Sequence, residues 1–200
     1  MHGAAEDEIG GNPVLAVRRW IEEAEACEPV DANAAALATV GADGMPSCRI
    51  VLVKAVEPEG LVFYTNYESR KGRELAARSL AALTFHWRVL DRQLRVEGQV
   101  SRAEDAVSDA YFASRERGSR IGAWASRQSE PVADRAALEA RIAEIENRFG
   151  EADIPRPVFW GGFRLRPSRI EFWRRGEHRL HDRIVCRAEG GAWTRERLQP

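Results

Sequence analysis

Cysteine is scarce in this sequence of 200 residues, and the few cysteines form no known pattern. Cys27, Cys48 and Cys186 are odd in number and far apart, without a CxxC pair or the Cys/His spacing of a zinc site. The four histidines do not form a ligand cluster either. We therefore expect no metal site and a reducing, cytoplasmic environment for the protein.

Long apolar runs and an excess of one charge are also lacking. The longest apolar stretches have the length of a strand, and the acidic N-terminus is unlike a signal peptide. The 30 basic and 31 acidic residues give a formal net charge of −1, so the chain has no overall attraction for nucleic acid or an anionic membrane. We expect neither as a partner.

The common motifs for nucleotide binding and hydrolysis are absent as well. No P-loop and no GxGxxG after a strand occurs, so the usual routes to ATP and NAD binding are not supported. No GxSxG motif and no Ser/His/Asp arrangement indicates a hydrolase.

Lysine is nearly absent, because only Lys54 and Lys71 accompany 28 arginines. A general preference for arginine codons explains most of this bias. The lysine ammonium is a compact point charge and the arginine guanidinium a planar fork, so the two are not interchangeable at a tight phosphate site. Both lysines are therefore candidate anion-binding residues.

The chain reads as a single domain at residues 12–200, after a short disordered tail at residues 1–11. Asn12 and Pro13 are typical of a helix start, and short apolar or alternating runs separated by turn residues predict strands in meander order. The pattern predicts a mainly β fold, an antiparallel barrel with helical insertions. The strands are expected at 35–40, 47–56, 61–65, 81–87, 93–100, 159–165, 169–174, 179–187 and 192–198.

The middle of the chain changes to helical periodicity. Helices are predicted at residues 104–114 and 135–149, with a Gly/Ser/Arg-rich loop at 115–129 between them. A short helix that Ser69 caps is predicted to end near Ala77.

Cations and hydroxyl groups concentrate at the ends of the early strands. Arg49 and Lys54 flank an apolar strand, and Tyr64 and Thr65 end the next one. The run Ser69-Arg70-Lys71 then opens a helix, whose N-terminus attracts anions. Together these groups favour a phosphate site, although the same residues also fit an ordinary solvated helix start.

A second polar group follows further along the chain. Tyr111, Arg115 and Ser119 recur at intervals of four, which makes one polar stripe if the helix continues through them. The stripe suits phosphate oxygens, and an exposed helix face explains it equally. Gln128 and Ser129 form a polar pair in the loop before Pro131.

The C-terminal part carries a third polar group. If residues 179–187 form a strand, then Arg179, His181 and Arg183 point to the same face, where their charges repel one another unless an anionic or electron-rich ligand is present. A solvated barrel exterior also tolerates such a face.

These segments resemble the FMN-dependent pyridoxamine 5′-phosphate oxidase family. Its C-terminal signature is an apolar residue, Glu, an aromatic residue and Trp, then a short spacer and Arg-aliphatic-His-acidic-Arg. The chain has Ile170-Glu171-Phe172-Trp173 and Arg179-Leu180-His181-Asp182-Arg183. Further matching segments are RIVLVK (49–54), FYTNYESRKG (63–72), RQLRVEG (92–98), SDAYFASR (108–115), SRQS (126–129) and WGG (160–162).

The resemblance implies an FMN-binding split β-barrel that forms a homodimer, with FMN at the subunit interface. It assigns the substrate phosphate to Lys54, Tyr111, Arg115 and Ser119, and the substrate ring to Arg179 and His181, the two candidate catalytic residues. The implied FMN contacts are Arg49, Ile50, Val51, Leu52, Lys54, Tyr64, Thr65, Arg70, Lys71, Gln93, Gln128, Ser129, Trp173 and Arg183.

The implied reaction oxidises pyridoxamine 5′-phosphate and pyridoxine 5′-phosphate to pyridoxal 5′-phosphate. A hydride passes from the substrate C4′ to the flavin, and O2 reoxidises the flavin to give hydrogen peroxide. The amine substrate also releases ammonia. The flavin supplies the difficult chemistry, and the protein supplies orientation and electrostatics.

The chain departs from the family pattern in two places. Arg174 stands where the signature more often has Gln, His or Gly, and residues 1–11 do not resemble the Arg-x-x-Tyr segment that covers the substrate in many members. Two alternatives stay open. One is a related flavin oxidase of phenazine-type biosynthesis, and the other is a non-catalytic flavin- or haem-binding split-barrel protein.

Overall fold

The computed structural model describes residues 9–200, which contain eight β-strands and five α-helices. Most of the predicted tail at residues 1–11 therefore lies outside the described residues. Ile9 is buried with the core, at 1% exposure. Within residues 9–200, no helix is both long and apolar enough to cross a membrane.

The strands form one antiparallel sheet whose first six members close into a barrel. The sheet order is β3-β2-β1-β4-β5-β6-β7-β8, and an additional pairing of β3 with β6 closes the ring. This confirms the predicted mainly β, antiparallel split barrel. The strands are β1 (Ala34–Val40), β2 (Pro46–Glu57), β3 (Gly60–Asn66), β4 (Leu80–Trp87), β5 (Arg92–Arg102), β6 (Trp160–Arg174), β7 (Asp182–Glu189) and β8 (Ala192–Arg197).

Turn residues set the first strand pairings. Gly44 has a positive φ of 83° in the β1–β2 turn, where Val40 pairs with Pro46. Gly60 has φ 149° and starts β3, and a Cβ atom there would lie 2.1 Å from the carbonyl oxygen of Leu165 on β6. Glycine at this position therefore lets β3 and β6 approach and close the barrel.

Alternation along the strands fills the barrel with apolar side chains. Leu37, Phe63, Leu83 and Leu94 are fully buried inside it. A second, smaller apolar cluster lies outside the barrel, between the helices and the start of β6, and is formed by Phe112, Ile121, Ala123, Ile154 and Trp160. The barrel supplies a rigid frame, and the second cluster fixes the helices to one end of it.

The helices begin largely where the sequence predicts. Asn12 caps α1 and Ser69 caps α2, each through its side-chain oxygen, and Asp134 does the same for α5. The helices are α1 (Pro13–Glu25), α2 (Arg70–Ala77), α3 (Asp105–Ser114), α4 (Arg117–Ala125) and α5 (Arg135–Phe149).

The predicted loop at residues 115–129 is wrong, because it contains α4. Ile121, Ala123 and Ala125 are buried in this helix. Its Gly and Arg content hides the helical pattern, which depends on packing against the second cluster.

The two strands predicted at 159–165 and 169–174 are one strand, β6. Pro167 lies between the two predicted strands, and proline cannot donate a ladder hydrogen bond. It pairs with Gly98 where the β5–β6 register shifts, and such a bulge tolerates proline. β6 therefore runs without interruption from Trp160 to Arg174.

Candidate active site

A cavity of about 450 Å³ lies between β2, β3 and the helices α3 and α4. It contains both lysines of the chain, and we call it the two-lysine cavity. It brings together eleven of the predicted site residues: Ile50, Val51, Leu52, Lys54, Tyr64, Thr65, Lys71, Tyr111, Arg115, Ser119 and Gln128.

Lys71 is the buried cation of this cavity, with 8% exposure. Its ammonium donates to Thr65 Oγ1 at 3.2 Å, Ser69 Oγ at 3.4 Å and Gln128 Oε1 at 3.0 Å. Burial and then the nearby Arg49 charge lower the pKa of Lys71 to about 8, against an opposing effect of Glu74. Its hydrogen-bond partners are neutral oxygens, so its charge is suited to a bound anion.

Behind Lys71, Glu74 links two of the predicted cofactor-binding arginines. Its carboxylate lies 3.0 Å from Arg49 Nη2 and 2.9 Å from Arg70 Nε. Thr39 and Ser47 donate their hydroxyls to the same carboxylate at 2.5 and 2.6 Å. Burial raises the pKa of Glu74, but these hydrogen bonds outweigh it and lower the pKa to about 2.

Arg49 and Arg70 are therefore held beside the two-lysine cavity, not in its lining. Ser129 belongs to the same edge, since its hydroxyl accepts from the backbone N–H of Arg70 at 3.1 Å. The N-terminus of α2 therefore brings together predicted cofactor-binding residues from α2 and from the loop after α4.

The opposite wall of the cavity is aromatic. Tyr64 stacks on Tyr111 with ring centroids 3.8 Å apart, and Trp160 lies nearly parallel to both rings. The Arg115 guanidinium lies 4.7 Å from the Trp160 ring centroid, and its Nη1 is buried with no hydrogen-bond partner among residues 9–200. Burial lowers the pKa of Arg115.

The continuous helix that would place Tyr111, Arg115 and Ser119 on one stripe does not form. α3 ends at Ser114 and α4 begins at Arg117, with Arg115 extended between them. The three side chains nevertheless line one cavity, because the chain turns at Arg115 and α4 packs back against the barrel.

A second cavity of about 1,000 Å³ lies at the other end of β6. We call it the histidine cavity, because His86, His178 and His181 line it together with Trp173 and Arg179. His86, His178, Asp91 and Arg175 were not predicted. His86 could have been found from the β4–β5 pairing, which places it opposite Gln93.

The strand predicted at 179–187 is confirmed from Asp182 onward, but its predicted start is wrong, so Arg179, His181 and Arg183 do not share one strand face. Residues Glu177–Arg179 form a 3₁₀ turn, and β7 begins only at Asp182. His178 and Arg179 have positive φ values of 53° and 64°, an unfavourable backbone that the sequence does not reveal.

His181 keeps a defined orientation in this turn. Its ring lies 4.6 Å from that of Trp173, and the Gly176 N–H donates to its Nδ1 at 3.3 Å. Nδ1 is therefore an acceptor, which leaves Nε2 to carry the proton of the neutral ring.

The sheet register aligns the remaining predicted cofactor contacts. Gln93 pairs with Trp173, which pairs with Arg183, so the three side chains share one row and one face. Glu171, with 1% exposure, accepts from Arg183 Nε at 2.9 Å. Burial raises the pKa of Glu171, but Arg183 and Arg169 outweigh it and lower the pKa.

No residue that the structure describes lines both cavities. Trp160 lines the first cavity and Trp173 lines the second, and both lie on β6. The strand between these two residues is about 40 Å long. One copy of the chain therefore holds two separated groups of the predicted residues.

Two family models match the chain over most of its length. The model described as pyridoxamine 5′-phosphate oxidase matches residues 21–149, and the model described as pyridoxine 5′-phosphate oxidase C-terminal dimerisation region matches residues 160–200. The second match contains the row from Trp173 to Arg183.

Curated relatives have the same family name. The pyridoxine/pyridoxamine 5′-phosphate oxidase of Rubrobacter xylanophilus is 53% identical over 99% of this chain and 91% of its own length. That of Cupriavidus metallidurans is also 53% identical, over 98% and 92%.

Solved structures share the fold. PhzG from Burkholderia lata 383, in complex with tetrahydrophenazine-1-carboxylic acid, is 32% identical and superposes with a TM-score of 0.92 over 100% of this chain and 98% of its own. A pyridoxamine 5′-phosphate oxidase-related, FMN-binding protein from Nostoc punctiforme has a TM-score of 0.74 at 18% identity, over 92% and 96% of the two chains. By its family models and its relatives, the chain belongs to the pyridoxamine 5′-phosphate oxidase family, whose members are flavoprotein oxidoreductases.

Proposed function

We propose that the protein oxidises pyridoxamine 5′-phosphate and pyridoxine 5′-phosphate to pyridoxal 5′-phosphate, with FMN as its cofactor and O2 as the electron acceptor. The observation that carries this proposal is the two-lysine cavity, where Lys71 and Arg115 present charges that no carboxylate among its described lining residues neutralises. Such a cavity suits ligands with phosphate groups.

The residues at the helical edge of the cavity fit the FMN phosphate. Lys71 offers a buried ammonium at the N-terminus of α2, and Arg49 and Arg70 stand beside it. Backbone N–H groups and fixed cations at a helix N-terminus are a common anion site. Thr65, Gln128 and Ser129 supply neutral hydrogen-bonding groups at the same edge.

The residues at the aromatic wall fit the substrate phosphate. Arg115 has a buried donor without a partner in the described protein, which an anionic oxygen would satisfy. Tyr111 and Ser119 add hydroxyls, and Lys54 adds an exposed ammonium from β2.

We further propose that each active site needs two copies of the chain. The matched dimerisation region contains Trp173, Arg179, His181 and Arg183. Of these, Trp173 lies about 40 Å along β6 from Trp160, which lines the two-lysine cavity. In a symmetric dimer, the histidine cavity of one subunit can face the two-lysine cavity of the other.

The chemical roles follow from the side chains. Bound FMN would accept a hydride from the substrate C4′ carbon and pass the electrons to O2. Arg179 would hold the substrate ring in place, a proximity effect. His181 would hold or move a proton at Nε2, because Gly176 engages Nδ1. Arg183, oriented by Glu171, would place positive charge beside the flavin.

A second candidate function is oxidation of a phenazine-type ring. The structural similarity to PhzG, at 32% identity and a TM-score of 0.92, favours it. A substrate that has a carboxylate but no phosphate needs fewer cations than the two-lysine cavity offers. The retained set of Lys54, Tyr111, Arg115 and Ser119 therefore supports the phosphorylated substrates.

One assay separates these functions. The purified protein should have the absorption spectrum of a flavin, and with pyridoxamine 5′-phosphate under air it should form pyridoxal 5′-phosphate and hydrogen peroxide together. Tetrahydrophenazine-1-carboxylic acid in a parallel reaction tests the second function. Turnover of that compound without turnover of the pyridoxamine phosphate would reject our proposal.

A further inference from the structure

Trp160 has no role in the proposed reaction, although it lies at the centre of the aromatic wall. It opens β6, pairs with Asn66 on β3 and is 7% exposed. Trp160 lines the two-lysine cavity, and Phe112 packs edge-on against its ring at 5.2 Å. The indole is therefore fixed by both the barrel and α3.

The Arg115 guanidinium is supported by aromatic rings and not by an acid. It lies 4.7 Å from the Trp160 centroid and 5.7 Å from that of Phe112. Within residues 9–200, no carboxylate forms an ion pair with it. Arg49 and Arg183, in contrast, are held by buried carboxylates. A ring face orients a guanidinium without neutralising its charge, which stays available for an anion.

The two glycines after Trp160 allow this arrangement. A Cβ atom at Gly161 would lie 2.1 Å from the Tyr67 hydroxyl oxygen. At Gly162 it would lie 3.1 Å from Cε1 of Tyr64 and 2.9 Å from the Ala103 Cβ. Glycine at 162 therefore lets β6 lie against the Tyr64 ring, and glycine at 161 leaves room for the Tyr67 hydroxyl. The indole next to them lies nearly parallel to Tyr64 and Tyr111.

We propose that Trp160 is a positioning residue for phosphate recognition, because its ring holds Arg115 with its charge free and directed into the two-lysine cavity. This inference rests on the proposed function, in which Arg115 binds the substrate phosphate. Trp160 acts through Arg115 and does not contact the reacting atoms. The WGG segment thereby gains a function, since it builds the wall that carries the phosphate-binding arginine.

The expected signature is a change in KM without a change in kcat. Trp160→Leu removes the ring face, so Arg115 loses its support and KM for pyridoxamine 5′-phosphate should rise about tenfold, within the range of a partly desolvated cation–π contact. The inhibition constant of inorganic phosphate should rise by a similar factor. FMN affinity and kcat should stay within about twofold, because the groups at the α2 edge are untouched. Trp160→Phe keeps a ring and should retain most of the phosphate affinity.

A double-mutant cycle with Arg115→Ala tests the mechanism. If Trp160 acts through Arg115, the double variant should have the KM of Arg115→Ala alone, whereas independent effects multiply. Multiplying effects would overturn the inference and leave the proposed function intact. An unchanged KM in Arg115→Ala would reject both the phosphate role of Arg115 and the inference.

Trp124→Leu is the matched control. Trp124 packs in the same apolar cluster and has Arg148 over its ring at 5.0 Å, but it does not line the two-lysine cavity. Trp124→Leu should lower the melting temperature and leave KM unchanged. A rise in KM equal to that of Trp160→Leu would mean that Trp160 acts only through general packing. If Trp160→Leu does not fold, Trp160→Met fills more of the space without a ring face and allows the same measurements.

Discussion

At the scale of single residues, the cations near the two-lysine cavity are held in two different ways. Arg49 and Arg70 are both paired with the buried carboxylate of Glu74, whereas Lys71 and Arg115 contact neutral oxygens or rings. The paired cations are fixed by their partner, and the others keep their charge for a ligand. Changes at Glu74 and Lys71 should therefore have different consequences.

Glu74→Gln should loosen the anion site and destabilise the fold. It removes the counter-charge of two cations beside Lys71. Arg49 is 20% exposed and Arg70 61% exposed, so the cost should lie below the value of about 3–5 kcal/mol for a fully buried ion pair. We expect a lower unfolding free energy and about tenfold weaker FMN binding to the apoprotein, measured by denaturant unfolding and by quenching of FMN fluorescence. Glu139→Gln, which breaks an exposed pair with Arg135, should change neither by much. Unchanged FMN affinity in Glu74→Gln would contradict the positioning role of Glu74.

Lys71 should make FMN binding sensitive to pH. Its pKa is lowered to about 8, so the ammonium is charged below this pH and becomes neutral above it. A phosphate group is already a dianion over this range, because its second pKa is near 6. We therefore expect the FMN affinity of the apoprotein to fall as pH rises from 7 to 9. Because a bound anion stabilises the charged ammonium, the midpoint of this fall should lie above the Lys71 pKa of the FMN-free protein. Lys71→Met should bind FMN weakly and without this step, and an identical pH profile in both proteins would refute the assignment.

The lowered pKa of Lys71 affects folding stability in the opposite direction from FMN affinity. The unfolded chain holds the Lys71 proton up to its ordinary pKa of 10.5, whereas the folded chain releases it near 8. Between these values the unfolded state binds more protons, so the Lys71 contribution to stability rises with pH. Burial of a charged Lys71 is therefore a cost to the fold near neutral pH, which a bound anion offsets.

At the scale of elements, the turn between α3 and α4 organises the aromatic wall. Sequence spacing predicted the grouping of Tyr111, Arg115 and Ser119, but for the wrong reason, since a helix was assumed to continue through them. The turn places Arg115 over the ring of Trp160. This contact joins α3 and α4 to β6, and its two residues are 45 positions apart in the chain. Periodicity describes only local neighbours, so it does not reveal this contact.

Gly118 offers a test of whether α4, which has a weak helical sequence and is held by packing, can be stabilised by a better helix former. Gly118 lies in the first turn of α4 and is exposed, and a methyl group added there would meet no heavy atom within 4 Å. Gly118→Ala should stabilise the protein by about 0.5–1 kcal/mol, because alanine restricts the unfolded chain and favours the helix. Chemical denaturation should show this gain with KM unchanged. Gly162→Ala, where the new methyl group meets Ala103 and Tyr64, should be destabilising, and a gain there would contradict the packing of β6.

At the scale of the whole molecule, the sequence predicted the barrel better than it predicted the site geometry. Strand alternation and the turns at Gly44 and Gly60 are local signals, and the structure confirms the strands that they predict. The positive φ of Arg179 and the separation of Trp173 from Lys71 arise from tertiary packing, which no local pattern encodes. The resemblance implied FMN at a subunit interface and named residues from both cavities, but it did not say which of them one chain holds together.

Subunit mixing can test whether each active site combines two chains. Arg115→Ala raises KM through the two-lysine cavity and Arg179→Ala damages the histidine cavity, so each variant alone should have little activity when the substrate concentration is far below its KM. In a mixed dimer, one of the two sites receives the intact two-lysine cavity of one subunit and the intact histidine cavity of the other. Random exchange should therefore restore about a quarter of the wild-type activity in a symmetric dimer with shared sites. Mixing Arg115→Ala with Lys71→Met should restore nothing, because both changes fall in the same cavity. If the first mixture has no more activity than its two components, the shared-site arrangement is wrong.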